Sequence, residues 1–331
     1  MIKKFTVLGN GSWSSALVKI LTDNKIDINW WMRSEAAVSH LKTHAHNLNY
    51  LTSVEYNMEC IHPTTNIAEA IADGEIILIG IPSAYVPNVF KPLDQNMFAN
   101  KKVLSATKGL VGAEHELMNH YLRNNYSLQK ENYYCITGPC HAEEVASEKL
   151  SYLTFGGYDE KVTEEIATYF KTYYMHTVCS KDVKGIQYAA VLKNIYALGA
   201  GIANGLDYGD NFQSVYITNC FAELQNFMDI MATEQQHHYN TSAYLGDLLV
   251  TCYSLHSRNR AFGNYIGKGY SVQSTKLEMN MEAEGYFASK GIFELNKSKS
   301  IPMPIAQTVY NILHNDKSAK KQFKKLENIF N

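Results

Sequence analysis

The chain has 331 residues, 46% of them hydrophobic and 19% charged, which places it among ordinary folded proteins and not among disordered ones. Thirty lysines and arginines nearly cancel 32 aspartates and glutamates, so no general basic field is present to hold nucleic acid or an anionic membrane; small-molecule chemistry is expected instead. Six cysteines without a C-x-x-C pair argue against a zinc site and a disulfide framework, and fit reduced thiols in a cytoplasmic protein. A first strand beginning by residue 5 leaves no room for a signal peptide.

Phe5, Val7 and Leu8 suit a buried strand, and Gly9 and Gly11 bracket a turn. Trp13, Ala16, Leu17, Ile20 and Leu21 then recur at the spacing of one helix face. A Gly-x-Gly turn entering a helix offers main-chain N–H groups and the positive dipole end to a pyrophosphate, so this stretch reads as a dinucleotide site. Ser14 stands where the fingerprint has its third glycine; small Ser14 and Ala16 are expected to keep helix and strand close. Residues 28–33 read as a second strand. Arg33 at its end suits the 2′-phosphate of NADP better than the unphosphorylated ribose of NAD, and plain solvent exposure explains it equally well. His40, His44 and His46 have a spacing compatible with a metal but no carboxylate or cysteine beside them, so none is expected.

Helices over residues 65–73 and 114–124 alternate with strands over 75–83, 101–110, 132–139 and 151–157. This alternation predicts an α/β fold with an N-terminal Rossmann-type, doubly wound parallel sheet. Lys108, Gly138, Cys140 and Ala142 lie just past strand C-terminal ends, where ligands of open α/β sheets bind.

From residue 184 the pattern becomes helix after helix: 184–206, 212–233, one near 245–252, and two after Pro304. The expected organisation is a dinucleotide-binding domain over residues 1–183 and an all-helical substrate-binding domain over 184–331. Residues 185–206 mimic a membrane span, but a lysine, two asparagines and a glutamine mark them as a buried helix of a soluble protein.

Lys193 is the one charge in that helix. Either it snorkels to water, or it sits among Ala189, Ala190, Ile195, Ala197 and Leu198, where burial favours the neutral amine and suits it to proton transfer. Asn194 is read as a structural hydrogen-bonder. Asp247, in the apolar "LGDLLV", is a structural partner or the carboxylate of a catalytic lysine. Ser257, Arg258 and Asn259 place hydroxyl, guanidinium and amide in succession, ahead of what reads as a glycine-rich loop; Arg258 can fork onto phosphate oxygens. That loop lacks Walker spacing. His237 and His238 fall in a polar loop.

Taken together, "GNGSWSSAL", "ATKGL", "GPCHAEEVA", "KNIYALGAGIANGL", "LGDLLVTC", "SRNRAFG" and "EGY" resemble, in order and spacing, the bacterial NAD(P)-dependent glycerol-3-phosphate dehydrogenases. The resemblance implies interconversion of sn-glycerol 3-phosphate and dihydroxyacetone phosphate with NAD or NADP, in the cytoplasm, by a homodimer that supplies phospholipid synthesis. It implies that Ser12, Trp13, Arg33, Lys108, Ala142, Arg258 and Glu284 contact the dinucleotide. Lys108, Gly138, Cys140, Lys193, Asp247, Ser257, Arg258 and Asn259 would hold the substrate, with Lys193 as proton acceptor. Ser14 replaces the third glycine, Cys140 stands where the family has serine or threonine, and His141 where it has phenylalanine. A thiol donates a hydrogen bond less well than a hydroxyl. Two other readings remain: a reductase of another small anionic carbonyl compound, and a non-catalytic dinucleotide sensor on the same scaffold. The joint presence of Lys193, Asp247 and "SRNR" speaks against the sensor.

Overall fold

In the computed structural model, which describes residues 4–279 and 283–330, strands and helices alternate through the first half of the chain. They are β1 (Lys4–Leu8), α1 (Ser12–Asp23), β2 (Asp27–Trp31), α2 (Glu35–His44), β3 (Ile61–Thr64), α3 (Ile67–Asp73), β4 (Ile76–Ile79), α4 (Val86–Phe90), β5 (Lys102–Ser105), α5 (Met118–Tyr126), β6 (Tyr133–Thr137), α6 (Ala142–Ala146), β7 (Ser151–Gly157), α7 (Glu160–Thr168) and β8 (Met175–Ser180). β4 is apolar and buried throughout, and β1 and β5 are buried from their second residues on, as strands covered on both faces must be.

The eight strands form one sheet in the order β3-β2-β1-β4-β5-β6-β7-β8. Phe5 of β1 pairs with Ile28 of β2 on one side and Ile76 of β4 on the other, both in parallel. The direction of winding therefore reverses between β1 and β4, and Gly9 and Gly80 follow the C-terminal ends of those two strands. Such a reversal opens the crevice in which doubly wound sheets hold ligands.

The doubly wound sheet is parallel as expected except at β7, which runs antiparallel to β6 with Tyr134 opposite Gly157. The only helix joining them, α6, has five residues. It rises about 7 Å, short of the ~16 Å of a five-residue strand, so the chain re-enters the sheet from the end it left.

The second half is helical: α8 (Val183–Gly205), α9 (Asp210–Met231), α10 (Asp247–Tyr253), α11 (Arg258–Gly267), α12 (Val272–Met279), α13 (Glu284–Asn296), α14 (Pro304–His314) and α15 (Ala319–Leu326). Every residue of α8 from Gly185 to Ala203 is buried, which explains why its sequence is apolar all round. α9 packs on it through the Tyr216 hydroxyl, which donates to the Tyr196 carbonyl at 3.0 Å. Among the described residues no helix is long and apolar enough to cross a membrane.

The first half of the expected glycine-rich loop, residues 263–267, is instead the second half of α11; only residues 268–271 lie outside the helix. Its glycines lie against α8: a Cβ on Gly263 would come within 2.0 Å of the Leu198 carbonyl oxygen, and one on Gly201 within 2.0 Å of the Arg260 carbonyl oxygen. Two helix backbones in contact require glycine, and that packing overrides its poor helix propensity.

By contacts the chain divides into two compact units. The sheet unit comprises residues up to Thr107 with Glu116–Val183; the helical unit comprises Lys108–His115 and the residues from Lys184 onward.

Candidate active site

In the sheet unit, Gly9 leaves β1 with a φ of +109°, a left-handed-region value that strains any residue with a side chain. Its N–H donates to the Trp31 carbonyl at 3.1 Å, which holds the turn to β2. Gly11 is the N-cap of α1, and a Cβ built on it would meet nothing within 4 Å. The helix begins without a side-chain cap and without an acidic residue in its first turn. An open, uncapped N-terminus of this kind is complementary to an anion, so the turn fits a pyrophosphate.

The missing third glycine is compensated on the neighbouring strand. Ser14 Oγ donates to the Gly80 carbonyl at 2.9 Å, and a Cβ on Gly80 would lie 2.1 Å from that Oγ. The close approach of helix and sheet is thus made by Gly80.

Ser12 is buried and Trp13 half-buried at the start of α1, and Arg33 is exposed just before Ser34, the N-cap of α2. Gly138 follows β6 with a φ of +118°, and Ala142 opens α6. Cys140 is buried, and its thiol donates to the Tyr152 carbonyl at 3.0 Å within the same unit. His40 and His44 touch one turn apart on α2, and His46 Nδ1 bonds the Val54 carbonyl at 2.8 Å. Among the described residues no group of three histidines, cysteines or carboxylates is placed to hold a metal. His237 lies in the loop after α9, with Nδ1 3.2 Å from the Tyr244 hydroxyl.

In the helical unit, Lys193 does not snorkel. Its side chain is 6% exposed and its Nζ donates to Asp247 Oδ1, whose side chain is 1% exposed. Burying two opposite charges demands that each satisfy the other, and here they do. Asp247 opens α10 directly after a π-helical turn over Ser242–Gly246, and its carbonyl accepts from the Thr251 hydroxyl at 2.6 Å. Cys252 lies near this pair. Burial pushes its thiol up to about 12, Lys193 and Arg260 pulling the other way, so it stays protonated.

Asn194, beside Lys193, is the hub of a hydrogen-bond chain that the sequence shows only as an amide in an apolar helix. Its Nδ2 donates to the Lys108 carbonyl at 3.1 Å, and its Oδ1 accepts from Asn259 Nδ2 at 2.9 Å. Asn259 Oδ1 in turn accepts from the Gly285 N–H at 2.9 Å, next to Glu284, the first residue of α13. Ser257 caps α11, its Oγ accepting from the Arg260 N–H at 3.3 Å, which leaves the hydroxyl hydrogen available to another acceptor. Lys108, Lys193, Asp247, Ser257, Arg258, Asn259 and Glu284 are therefore joined by direct bonds or by adjacency along the chain. Two helix N-termini, those of α11 and α13, meet at Asn259, and their dipoles favour an anion.

A winding reversal flanked by a glycine turn is the construction of the dinucleotide-binding oxidoreductases. Within that class, residues 4–163 match the family model for the NAD-dependent glycerol-3-phosphate dehydrogenase N-terminus, and residues 182–324 match that for its C-terminus. The chain belongs to this family, as the motif order implies. It is 31% identical to the glycerol-3-phosphate dehydrogenase [NAD(P)+] of Enterococcus faecalis, over 98% of this chain and 96% of that protein. It is also 31% identical to the protein of the same name from Ligilactobacillus salivarius, over 97% and 96%. The crystal structure of glycerol-3-phosphate dehydrogenase from Coxiella burnetii, at 24% identity, superposes with a TM-score of 0.90 over 98% of both chains and supports the fold.

Proposed function

We propose that this protein is a cytoplasmic, homodimeric NAD(P)-dependent glycerol-3-phosphate dehydrogenase that reduces dihydroxyacetone phosphate to sn-glycerol 3-phosphate for phospholipid synthesis. Residues 1–183 would form its dinucleotide-binding domain and 184–331 its substrate-binding domain. The observation that carries this reading is the buried Lys193–Asp247 pair, set beside an Asn194–Asn259 link to two helix N-termini, in a member of this family.

Gly11, Ser12 and Trp13 would hold the pyrophosphate through main-chain N–H groups, Gly9 shaping the turn that presents them, with Arg33, Lys108, Ala142, Arg258 and Glu284 completing the dinucleotide site. A nicotinamide held there would supply the hydride when reduced and accept it when oxidised. Lys193 Nζ gives its proton to the oxygen on C2 as that oxygen gains charge, and takes it back in the oxidation direction. Asp247 fixes the ammonium and balances its buried charge. Arg258 forks onto the substrate phosphate, the Ser257 hydroxyl hydrogen and the first turn of α11 add donors, and Lys108, Gly138, Cys140 and Asn259 complete the substrate site. Binding energy from the phosphate is thereby spent on aligning C2.

The test is loss of the reduced-nicotinamide absorbance band with dihydroxyacetone phosphate, run with NADH and NADPH in parallel. Oxidation of at least one cofactor, with little on unphosphorylated dihydroxyacetone, is expected; no oxidation of either overturns the assignment. Arg33 predicts that NADPH is accepted.

A further inference from the structure

The turn between β1 and α1 is held from behind by two side chains that no motif includes. Trp30 Nε1 on β2 donates to the Gly9 carbonyl at 2.8 Å, and Asn47 Nδ2 donates to the Asn10 carbonyl at 2.9 Å. A trans peptide points its C=O and N–H in opposite directions. Fixing the Gly9 carbonyl therefore aims the Asn10 N–H the other way, and fixing the Asn10 carbonyl does the same for the Gly11 N–H. These are two of the main-chain donors that a pyrophosphate at this turn would use.

Asn47 is built for this task. It is 1% exposed, and all four of its amide positions are used: Nδ2 also reaches Ser15 Oγ at 2.8 Å, while Oδ1 accepts from the Asn49 and Tyr50 N–H groups at 3.0 and 3.2 Å. Its amide cannot turn over without breaking a bond at each end. The loop after α2 that delivers it is itself anchored, since the Tyr56 N–H donates to the Ala45 carbonyl at 2.8 Å and the Tyr56 hydroxyl to the Ser15 carbonyl at 3.3 Å. Tyr56 also packs edge-on against Trp30 at 5.1 Å between ring centroids.

We propose that Asn47 and Trp30 are positioning residues for the dinucleotide: they set the peptide planes of the Gly9-Asn10-Gly11 turn so that its N–H groups face the pyrophosphate before it binds. Preorganised donors bind without the cost of reorienting at the moment of contact. The inference rests on the reading of this turn as the pyrophosphate site.

Asn47→Asp is isosteric but removes both donors and sets a carboxylate oxygen against the Asn10 carbonyl; Trp30→Phe keeps a ring in the core and removes the indole N–H. For each variant the KM for NAD(P)H and the competitive inhibition constant of ADP-ribose are measured beside that of adenosine, which lacks the pyrophosphate. Both the KM and the ADP-ribose constant are expected to rise about tenfold in either variant, with adenosine inhibition and kcat at saturating cofactor little changed. An unchanged ADP-ribose constant, or equal weakening of ADP-ribose and adenosine, overturns the positioning role. Failure of ADP-ribose to compete with NAD(P)H in the unaltered protein overturns the underlying reading of the turn and the proposal with it. The Trp30→Phe result decides the matter alone if Asn47→Asp does not fold.

Discussion

The sheet unit and the helical unit present their chemistry in opposite ways. At the Gly9–Gly11 turn the groups offered to a ligand are main-chain N–H groups, made available because the carbonyls are tied back by Trp30 and Asn47. Around Lys193 they are side chains, held because α8 and α11 touch backbone to backbone and because Lys193 is answered by Asp247 and Asn194 by Asn259. A backbone site tolerates changes of side chain but not of turn geometry. A side-chain site fails when one partner is removed.

The sharpest way to break this contrast is at Asp247. Asp247→Ala leaves the Lys193 ammonium buried without its carboxylate and should lower unfolding free energy by about 3–5 kcal/mol, read by urea denaturation. The double variant Lys193→Met with Asp247→Leu should recover most of that stability while remaining inactive. A double variant as unstable as the single one would show that the pair is not the source of the loss. Next in size is Gly201→Ala, whose Cβ would meet the Arg260 carbonyl oxygen at 2.0 Å; a loss of about 3 kcal/mol is expected in the same assay. Tolerance of this change would remove the claim that backbone contact positions α11.

A third test lies away from the site. Glu223 on α9 accepts from the Ile305 and Ala306 N–H groups at 2.7 and 3.0 Å at the start of α14, and burial raises its carboxyl to about 7 against those bonds. The folded protein therefore holds this proton more tightly than the unfolded chain does. Its contribution to stability is fully present below about pH 4.5 and is lost as pH rises through 7, a change of about 3 kcal/mol. Melting temperature measured from pH 5 to 8.5 should fall less steeply in Glu223→Gln than in the unaltered protein; parallel curves would contradict this. Smallest is Arg258→Ala, expected to raise KM for dihydroxyacetone phosphate about 10- to 100-fold in steady-state assays. An unchanged KM would place the phosphate elsewhere.

The first strand, turn and helix were legible because each rests on local periodicity: Trp13, Ala16, Leu17 and Ile20 mark a helix wherever the rest of the chain goes. Lys193 and Asp247 were legible for another reason, as charges isolated among apolar residues. β3 and β8 carried little signal. They are the two edges of the sheet, and their half-exposed residues, "IHPT" and "MHTVCS", lack the apolar run of an interior strand. α11 was hidden by its own glycines, which read as a loop until the α8 backbone is seen against them. Asn194 was legible as a structural hydrogen-bonder, but three things had no linear trace: the grouping of Lys108–His115 with the helices, the partners of Asn194, and the reach of Asn47 back to a turn 37 residues earlier. Each depends on a partner distant in sequence, which no window along the chain contains.

Proton transfer in this protein is assigned to one amine. With NAD(P)H and dihydroxyacetone phosphate both saturating, Lys193→Ala should lose about 10³-fold or more in kcat, while its dissociation constant for NAD(P)H, measured directly by cofactor fluorescence, stays within about threefold of the unaltered protein. Turnover within about tenfold of the original, with the cofactor still bound, would show that the proton passes through another group.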